Sequence, residues 1–595
     1  MFVGCVALAT SCDLTENVQV KADKSMIFGS KSGLELYSNS FYKALPTLKN
    51  GFMQDKMCDV GAVSNTDTFI KQGAYNTETA TSWSWGALKN VNYFIDGCND
   101  PKYCTVDDNT RDNYLGIARW FRAWFYYDKL TTYGEVPWFP HDIQSYQNDV
   151  MYKDRDSRDV IIRNLIADLD FAYEHIQATS STGSSTLTRW AAAALKSRVC
   201  LFEAAYRRYH NLTGLEITPE ELYREAAKAA KLVIDNSGCS LNTATGKKGA
   251  YRDLFYNETP LTQEVILAVC ANEKSGIFGE QNWWFNARSY GLCWSLVRSF
   301  VHTYLKLDGT PFTDAADYAV KSFTEEMEGR DLRLEQTVRG RNFLWDGKTA
   351  VADIKNLSLT GYQVIKYTLD ESKYDGGAKN INSIPLIRYA EVLLNYAEAQ
   401  AELGVITDSE WALTVGALRK RAGITGGTET LPTTVDGYLQ RTFYPDVTSP
   451  VLLEIRRERA IELVAEGMRF DDLRRWKCGS LMESLPWSGI HIPGLEQPVD
   501  VNGDGVDDYY FTEGEVTAAP AAYRNIAIRV NQDGVGLYAE ANPVSGYDLV
   551  YKTGAGDRYW YPDGRQYLYP IPAKVIRDYK NAGYTISQNP YWDNE

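Results

Sequence analysis

The chain has 595 residues, of which 44% are apolar and 23% charged; this is the composition of a globular protein with a sizeable core and excludes a disordered or low-complexity chain. Its 77 acidic residues outnumber the 62 basic ones, giving a formal charge of −15 with no basic patch, which excludes nucleic acid as an expected partner. Aromatic residues make up 13%, including 40 Tyr and 15 Trp, side chains whose flat apolar face and polar tip suit surfaces that bind amphipathic ligands.

Ten cysteines and five histidines show no metal-ligand spacing, so no zinc site is expected. Cys98 and Cys104 are close enough in sequence for a small loop disulfide, with free buried thiols the expected state. At the amino terminus, residues 1–9 are mostly apolar and lead through small residues to Cys12. The segment reads as the end of a secretory signal, and Ala9-Thr10-Ser11-Cys12 resembles a bacterial lipobox, in which the cysteine becomes the lipidated first residue. No later stretch approaches the roughly 18 apolar residues of a spanning helix, so attachment by lipid at Cys12 is the expectation. The organisation expected is a signal segment over 1–12, an N-terminal helical region over 13–260 and a C-terminal region over 261–595, the last two forming one compact unit.

From about 85 to 235 the apolar periodicity is helical. Helices are predicted over Leu115–Leu130, Val160–Ile176, Trp190–Tyr209 and Leu222–Ile234, the last opening after Thr218-Pro219-Glu220. Paired helices rich in Ala and Tyr point to tetratricopeptide-like units, although no strict repeat is evident. The stretch from 240 to 385 is irregular. Two further helices are predicted, one along the Tyr389–Gln400 stripe ending at Gly404, the other along Ala460–Met468. On the latter, Glu454–Arg457 and Arg459–Glu462 are read as solvated neighbours on the wet face. From 478 to 595 the chain reads as loop-rich, without periodicity. Within it, Asp500, Asn502, Asp504 and Asp508 place oxygen side chains at the spacing of a calcium loop, with Gly505 for the turn and the Val506 carbonyl as a fifth ligand. Phe511 stands where a full EF-hand has its bidentate Glu, so a structural calcium that pins the loop is expected, and no catalytic cofactor.

Several segments together resemble the SusD/RagB family of outer-membrane nutrient-binding lipoproteins. They are Ala118-Arg119-Trp120-Phe121-Arg122-Ala123 running into Tyr133-Gly134-Glu135-Val136-Pro137, and Tyr304, Asp308-Gly309, Arg330-Asp331 and Arg333-Leu334. Further along come Ile387–Leu394 with Glu398-Ala399, Arg456–Arg459 with Glu466–Trp476, and Tyr567–Pro572 before Gln588-Asn589-Pro590. Glu135 replaces the family's usual Asp. The segments stand in family order from about 115 to 590. The resemblance implies a mainly α fold, a tetratricopeptide-like helical-repeat scaffold with a loop-rich ligand-facing half. It also implies no catalysis, a place on the extracellular face of the outer membrane, and a TonB-dependent SusC-like transporter as partner to which captured glycan is delivered. Under it, Arg119, Arg122 and Glu458 are buried or capping ion partners rather than site residues.

A glycan needs exposed aromatic planes for its sugar faces and amides or carboxylates for its hydroxyls. Aromatics in irregular segments are therefore the candidates: Trp83 in Thr81-Ser82-Trp83-Ser84-Trp85, with Trp85 expected to pack, and Trp283, Trp284, Asn286 and Tyr290 in the second cluster. Two alternatives stand beside glycan capture: a peptide-binding member of the same family, and a helical-repeat scaffold without a small ligand. A glycosidase carboxylate pair is not singled out by any spacing, and no G-x-S-x-G elbow or phosphate loop is present.

Overall fold

The computed structural model describes residues 24–49, 55–286, 293–552 and 558–593. Helices hold 43% of the described residues and strands 10%, so the mainly α expectation holds. The helices that matter here are α1 (Lys31–Ser38), α2 (Gly86–Asn99), α3 (Asp108–Tyr133), α4 (Arg158–His175), α5 (Arg189–Tyr209), α6 (Pro219–Asn236), α7 (Gln281–Asn286), α8 (Tyr389–Glu402), α9 (Pro450–Glu462), α10 (Arg469–Arg475) and α11 (Ala573–Asn581).

Helices α2 to α6, α8 and α9 pack in a row, each against its predecessor, as tetratricopeptide-like pairs do. Local chemistry sets their ends. Asp107 accepts from the Thr110 amide at the start of α3, which stops at Gly134 with φ of 75°. Helix α6 opens on a full capping box, Thr218 with Glu221, and Pro219 in its first turn. Both α5 (Ala191–Ala194, Ala204, Ala205) and α6 (Ala226, Ala227, Ala230), which pack on each other, are rich in buried alanines.

Two expectations need correction. The Ala460–Met468 stripe is not one helix: α9 ends at Glu462, the chain turns through Ala465 (φ 63°) and Gly467 (φ 81°), and α10 begins at Arg469. The charges on α9 are not solvated either. Glu462 is fully buried among the guanidiniums of Arg333, Arg388 and Arg421, Arg459 grips Asp472, and Glu454 holds Arg419 and Arg457. Burial pushes the Glu462 carboxyl up, but Arg421, Arg388 and Arg333 outweigh it and hold it well below the usual carboxylate range. Glu454 and Arg457 meet three apart, whereas Arg459 and Glu462 turn to other partners; what covers these charges, Arg419 on the 415–421 helix and Asp472 on α10 among them, comes from elsewhere in the chain.

The C-terminal half is not all loop. Strand β1 (Val265–Val269) pairs antiparallel with β2 (Ile384–Arg388), which runs directly into α8. Beyond α10 lie β3 (Ser488–Ile492), β4 (Pro498–Val499), β5 (Tyr509–Thr512), β6 (Ala527–Arg529), β7 (Leu537–Ala541) and β8 (Tyr547–Tyr551). They form two three-stranded sheets, in the orders β7-β8-β3 and β6-β5-β4. Strands this short leave too few alternations to read from sequence. One hydrophobic core joins both halves, from Phe28 to Trp592. Cys98 and Cys104 are both free thiols.

Candidate functional site

The segment before α2 is set by Asn76, whose side chain accepts from the amides of Glu78 and Thr79 at 3.0 Å. The chain then passes without regular structure through Trp83 and Trp85, with the Ser84 amide turned back on the Ser82 carbonyl, to the first turn of α2. Trp83 stands edge-on to Tyr133 at 4.9 Å and to Trp85 at 5.3 Å between ring centres. Trp85 in turn leans on Phe125 at 5.6 Å and Phe139 at 5.2 Å. Both tryptophans are half-buried, and both line a cavity of about 1180 Å³. Trp85 therefore does both things, packing on one side and facing the cavity on the other.

One wall of this cavity is the segment after Tyr133-Gly134-Glu135-Val136-Pro137. Asn92 on α2 donates to the carbonyls of Phe139 (2.8 Å) and His141 (3.1 Å). The Tyr126 hydroxyl accepts from the Phe139 amide at 2.7 Å and donates to the Pro137 carbonyl. Arg122 makes a bidentate pair with Asp168, 2.7 Å at each oxygen, and spends a further N–H on the Pro140 carbonyl. Asp96 accepts from the Asp142 amide and pairs with the His141 ring, both at 2.8 Å. Thus Arg122 is the buried ion partner expected, and its pair clamps a wall of the cavity. Arg119 is partly exposed, 3.9 Å from Asp168 and lying over the Phe171 ring at 4.0 Å. Glu458 is buried against Arg333 and Arg419.

The opposite wall is α11. The Gln588 amide pairs both ways with the Ile571 backbone, at 2.7 and 2.8 Å, and Asn589 donates to the carbonyls of Tyr133 and Tyr569. Arg155 holds Ser587, Gln588 and Asn589 together. These bonds seat α11 so that Tyr579 faces Tyr152 edge-on at 5.1 Å, and both rings line the cavity. Burial, with Asp154 and Tyr152 adding to it, pushes the Tyr579 hydroxyl up to about 12, so it is neutral at physiological pH. At the rim Glu78 and Arg577 form an exposed pair, whose hydrogen bond holds the Glu78 carboxyl below its ordinary range. Aromatic planes inside and charged or amide groups at the rim make a site for an amphipathic, hydroxyl-rich ligand. Phe139, Tyr152 and Tyr579 went unread because they lie far from Trp83 in sequence and no local pattern joins them.

The second aromatic cluster is placed elsewhere; none of residues 281–286 lines the Trp83 cavity. Helix α7 is fastened by amides: Asn282 donates to the Leu369 carbonyl and accepts from the Leu369 amide, both at 2.8 Å, and accepts from Asn380 at 2.7 Å. Trp283 and Trp284 are half-buried, their rings 5.2 Å apart at 56°. Asn286 is buried, donating to Asp375 at 3.2 Å and accepting from Gln363 at 3.1 Å, so its amide is already engaged. Tyr290 and Cys12 lie outside the described residues.

The expected calcium loop curls on itself. Asp500 accepts from the amides of Gly503 (2.7 Å) and Gly505 (2.8 Å), Asp504 from Val506 (2.9 Å), and Asp508 from Val501 (2.8 Å), while Asn502 donates to Asp504. Burial, followed by the charges of Asp500 and Asp504, raises the Asp508 carboxyl. Among the described residues no three of His, Cys, Asp and Glu gather to hold a metal ion, and the side chains of this loop are turned to its own backbone amides. Also among the described residues, no helix is long and apolar enough to cross a membrane.

Comparisons with known proteins place this architecture. The SusD-like protein P38 of Formosa agariphila is 25% identical over 380 residues, 61% of this chain and 66% of that protein, so the match spans just under two thirds of the relative. A SusD-like carbohydrate binding protein of Bacteroides fragilis superposes with a TM-score of 0.66 at 19% identity, over 94% of this chain and 99% of the other. A SusD homologue of Bacteroides thetaiotaomicron superposes with a TM-score of 0.60 at 16% identity, over 96% and 99% of the two chains. Residues 263–592 match the model of the SusD family. The chain belongs to the SusD family.

Proposed function

We propose that this protein captures glycan, without cleaving it, in the cavity walled by Trp83, Trp85, Phe139, Tyr152 and Tyr579. The observation that carries this reading is the joining of half-buried aromatic faces to a charged and amide-bearing rim around a concavity of about 1180 Å³. Membership of the SusD family supports it, as does the shared fold of a Bacteroides fragilis protein described as carbohydrate binding. In this reading the chain is anchored through lipid on Cys12 at the extracellular face of the outer membrane and delivers its ligand to a SusC-like TonB-dependent transporter. Trp283 and Trp284, half-buried on α7 and apart from this cavity, are a second proposed contact for glycan, with Tyr290 and Asn286 nearby in sequence. The spacing of Asp500, Asn502, Asp504 and Asp508 supports a calcium ion that pins its loop once the carboxylates turn from the amides to the ion.

The test is affinity electrophoresis against a panel of plant, host and microbial polysaccharides, followed by chromatography of the incubated ligand. Retardation by one polysaccharide, with its chain-length profile unchanged, supports capture. Shortened products, or peptides retained where every polysaccharide fails, contradict it.

A further inference from the structure

A second concavity, of about 1390 Å³, lies beside the first and shares Gly86 and Lys89 with it. The segment 139–145 separates the two with the period of an extended chain. Phe139, His141, Ile143 and Ser145 line the first cavity, while Asp142 and Gln144 line the second. Across the floor runs α2, and on the far side stands α1 with Tyr37, whose hydroxyl donates to Asn90 at 2.7 Å and whose ring stacks on Tyr93 at 5.9 Å. On the rim Leu36 is left 77% exposed, an apolar side chain in water at the edge of a concavity.

The two spaces connect over Gly86. A Cβ added there meets nothing within 4 Å, so the first turn of α2 is an open saddle rather than a partition. Trp85 stands immediately before this saddle and Tyr93 two turns beyond it, about 12 Å along the helix axis at the rise of an α-helix. Lys89, exposed and lining both spaces, stands between them. One ring cannot reach both aromatic platforms.

From this geometry we infer that the two cavities form one groove over Gly86, and that the ligand is an extended glycan chain whose far end lies against Tyr93 and Tyr37. The inference rests on the glycan reading above and adds the chain length that it takes. The second cavity contributes affinity to long chains alone, since a short fragment is satisfied in the Trp83 cavity.

The test uses the polysaccharide retained in the panel, partially hydrolysed, fractionated to single chain lengths and titrated calorimetrically against the full chain. In the wild type, affinity rises by about tenfold, one good aromatic contact, at the length where the chain crosses Gly86. Tyr93→Ala removes that step and leaves the shortest bound fragment within about twofold of wild type. Gly86→Tyr, whose Cβ meets nothing within 4 Å and whose ring blocks the saddle, removes the step as well, and matching circular dichroism melts establish that both variants fold. Leu36→Arg, on an exposed rim position, weakens the long chains alone. Affinity that is flat beyond the shortest fragment, or a step that survives both Tyr93→Ala and Gly86→Tyr, overturns the groove while leaving capture at Trp83 standing. Absence of binding at every length overturns the capture reading itself.

Discussion

Arg122 shows how a single residue reaches the site without touching it. Its side chain is buried, its charge is balanced by Asp168, and Nη1 donates to the Pro140 carbonyl. Arg122→Ala leaves a buried carboxylate whose remaining cation, Arg119, is 3.9 Å away, and should cost about 3–5 kcal/mol in urea unfolding. Lysine does not restore the fork, so Arg122→Lys recovers less than half of that loss. A loss below about 1 kcal/mol for Arg122→Ala would show that the pair does not carry the wall. Trp83 and Trp85 sit at the other extreme, half-buried planes whose removal is felt by ligand more than by fold. Their residue types were legible in the sequence; which face of each ring meets the cavity was not, because Tyr133, Phe125 and Phe139 decide it.

Among the elements, the long helices were readable because a 3.6-residue period is a local property. The prediction over Leu115–Leu130 falls inside α3, and Trp190–Tyr209 matches α5 to within a residue. The short strands β3 to β8 were not readable, and the Ala460–Met468 stripe misled because a turn with Ala465 in the left-handed region keeps apolar residues at helical spacing. Helix α11 is not legible either, a short helix in a loop-rich stretch, although the motif that anchors it, Gln588-Asn589, is. The loop 500–508 carries its own prediction. Millimolar calcium raises the thermal midpoint, by an amount equivalent to about 2.7 kcal/mol at a hundredfold excess over its dissociation constant, and Asp500→Ala with Asp504→Ala abolishes the rise. An unchanged midpoint with calcium, and with a chelator, would mean that the loop is held by its backbone amides alone.

Over the whole molecule, a single core and a buried ion network tie N- and C-terminal halves together, so acid should unfold them as one. Burial raises the Glu326 carboxyl, but Arg298 and then His302 outweigh this and lower it from 4.5 to about 2. Glu462 is lowered further still by its three arginines. A depressed folded pKa means stability that is complete above the unfolded value and lost below it. The stability these two carboxylates contribute is therefore complete above about 4.5 and lost as pH drops toward about 2, while His210, lowered by burial to about 4, adds a loss that begins below about 6.5. Urea midpoints measured from pH 7 to pH 3 check this, and a midpoint that stays flat to pH 3 contradicts it. At this scale the family was legible from ordered motifs, and the cavity was not. Its walls come from residues 78–92, 139–152 and 572–582, distant in sequence and brought together by the same motifs that were read as scaffold.

Capture at Trp83 is tested most directly by titrating the retained polysaccharide, by calorimetry, into wild type, Trp83→Ala/Trp85→Ala and Trp283→Ala/Trp284→Ala. The proposal predicts that the first double variant loses at least about a hundredfold in affinity, near 2.7 kcal/mol, with its thermal melt retained, and that the second loses less. Unchanged affinity in Trp83→Ala/Trp85→Ala, with the loss confined to Trp283→Ala/Trp284→Ala, would contradict it and move the site to α7.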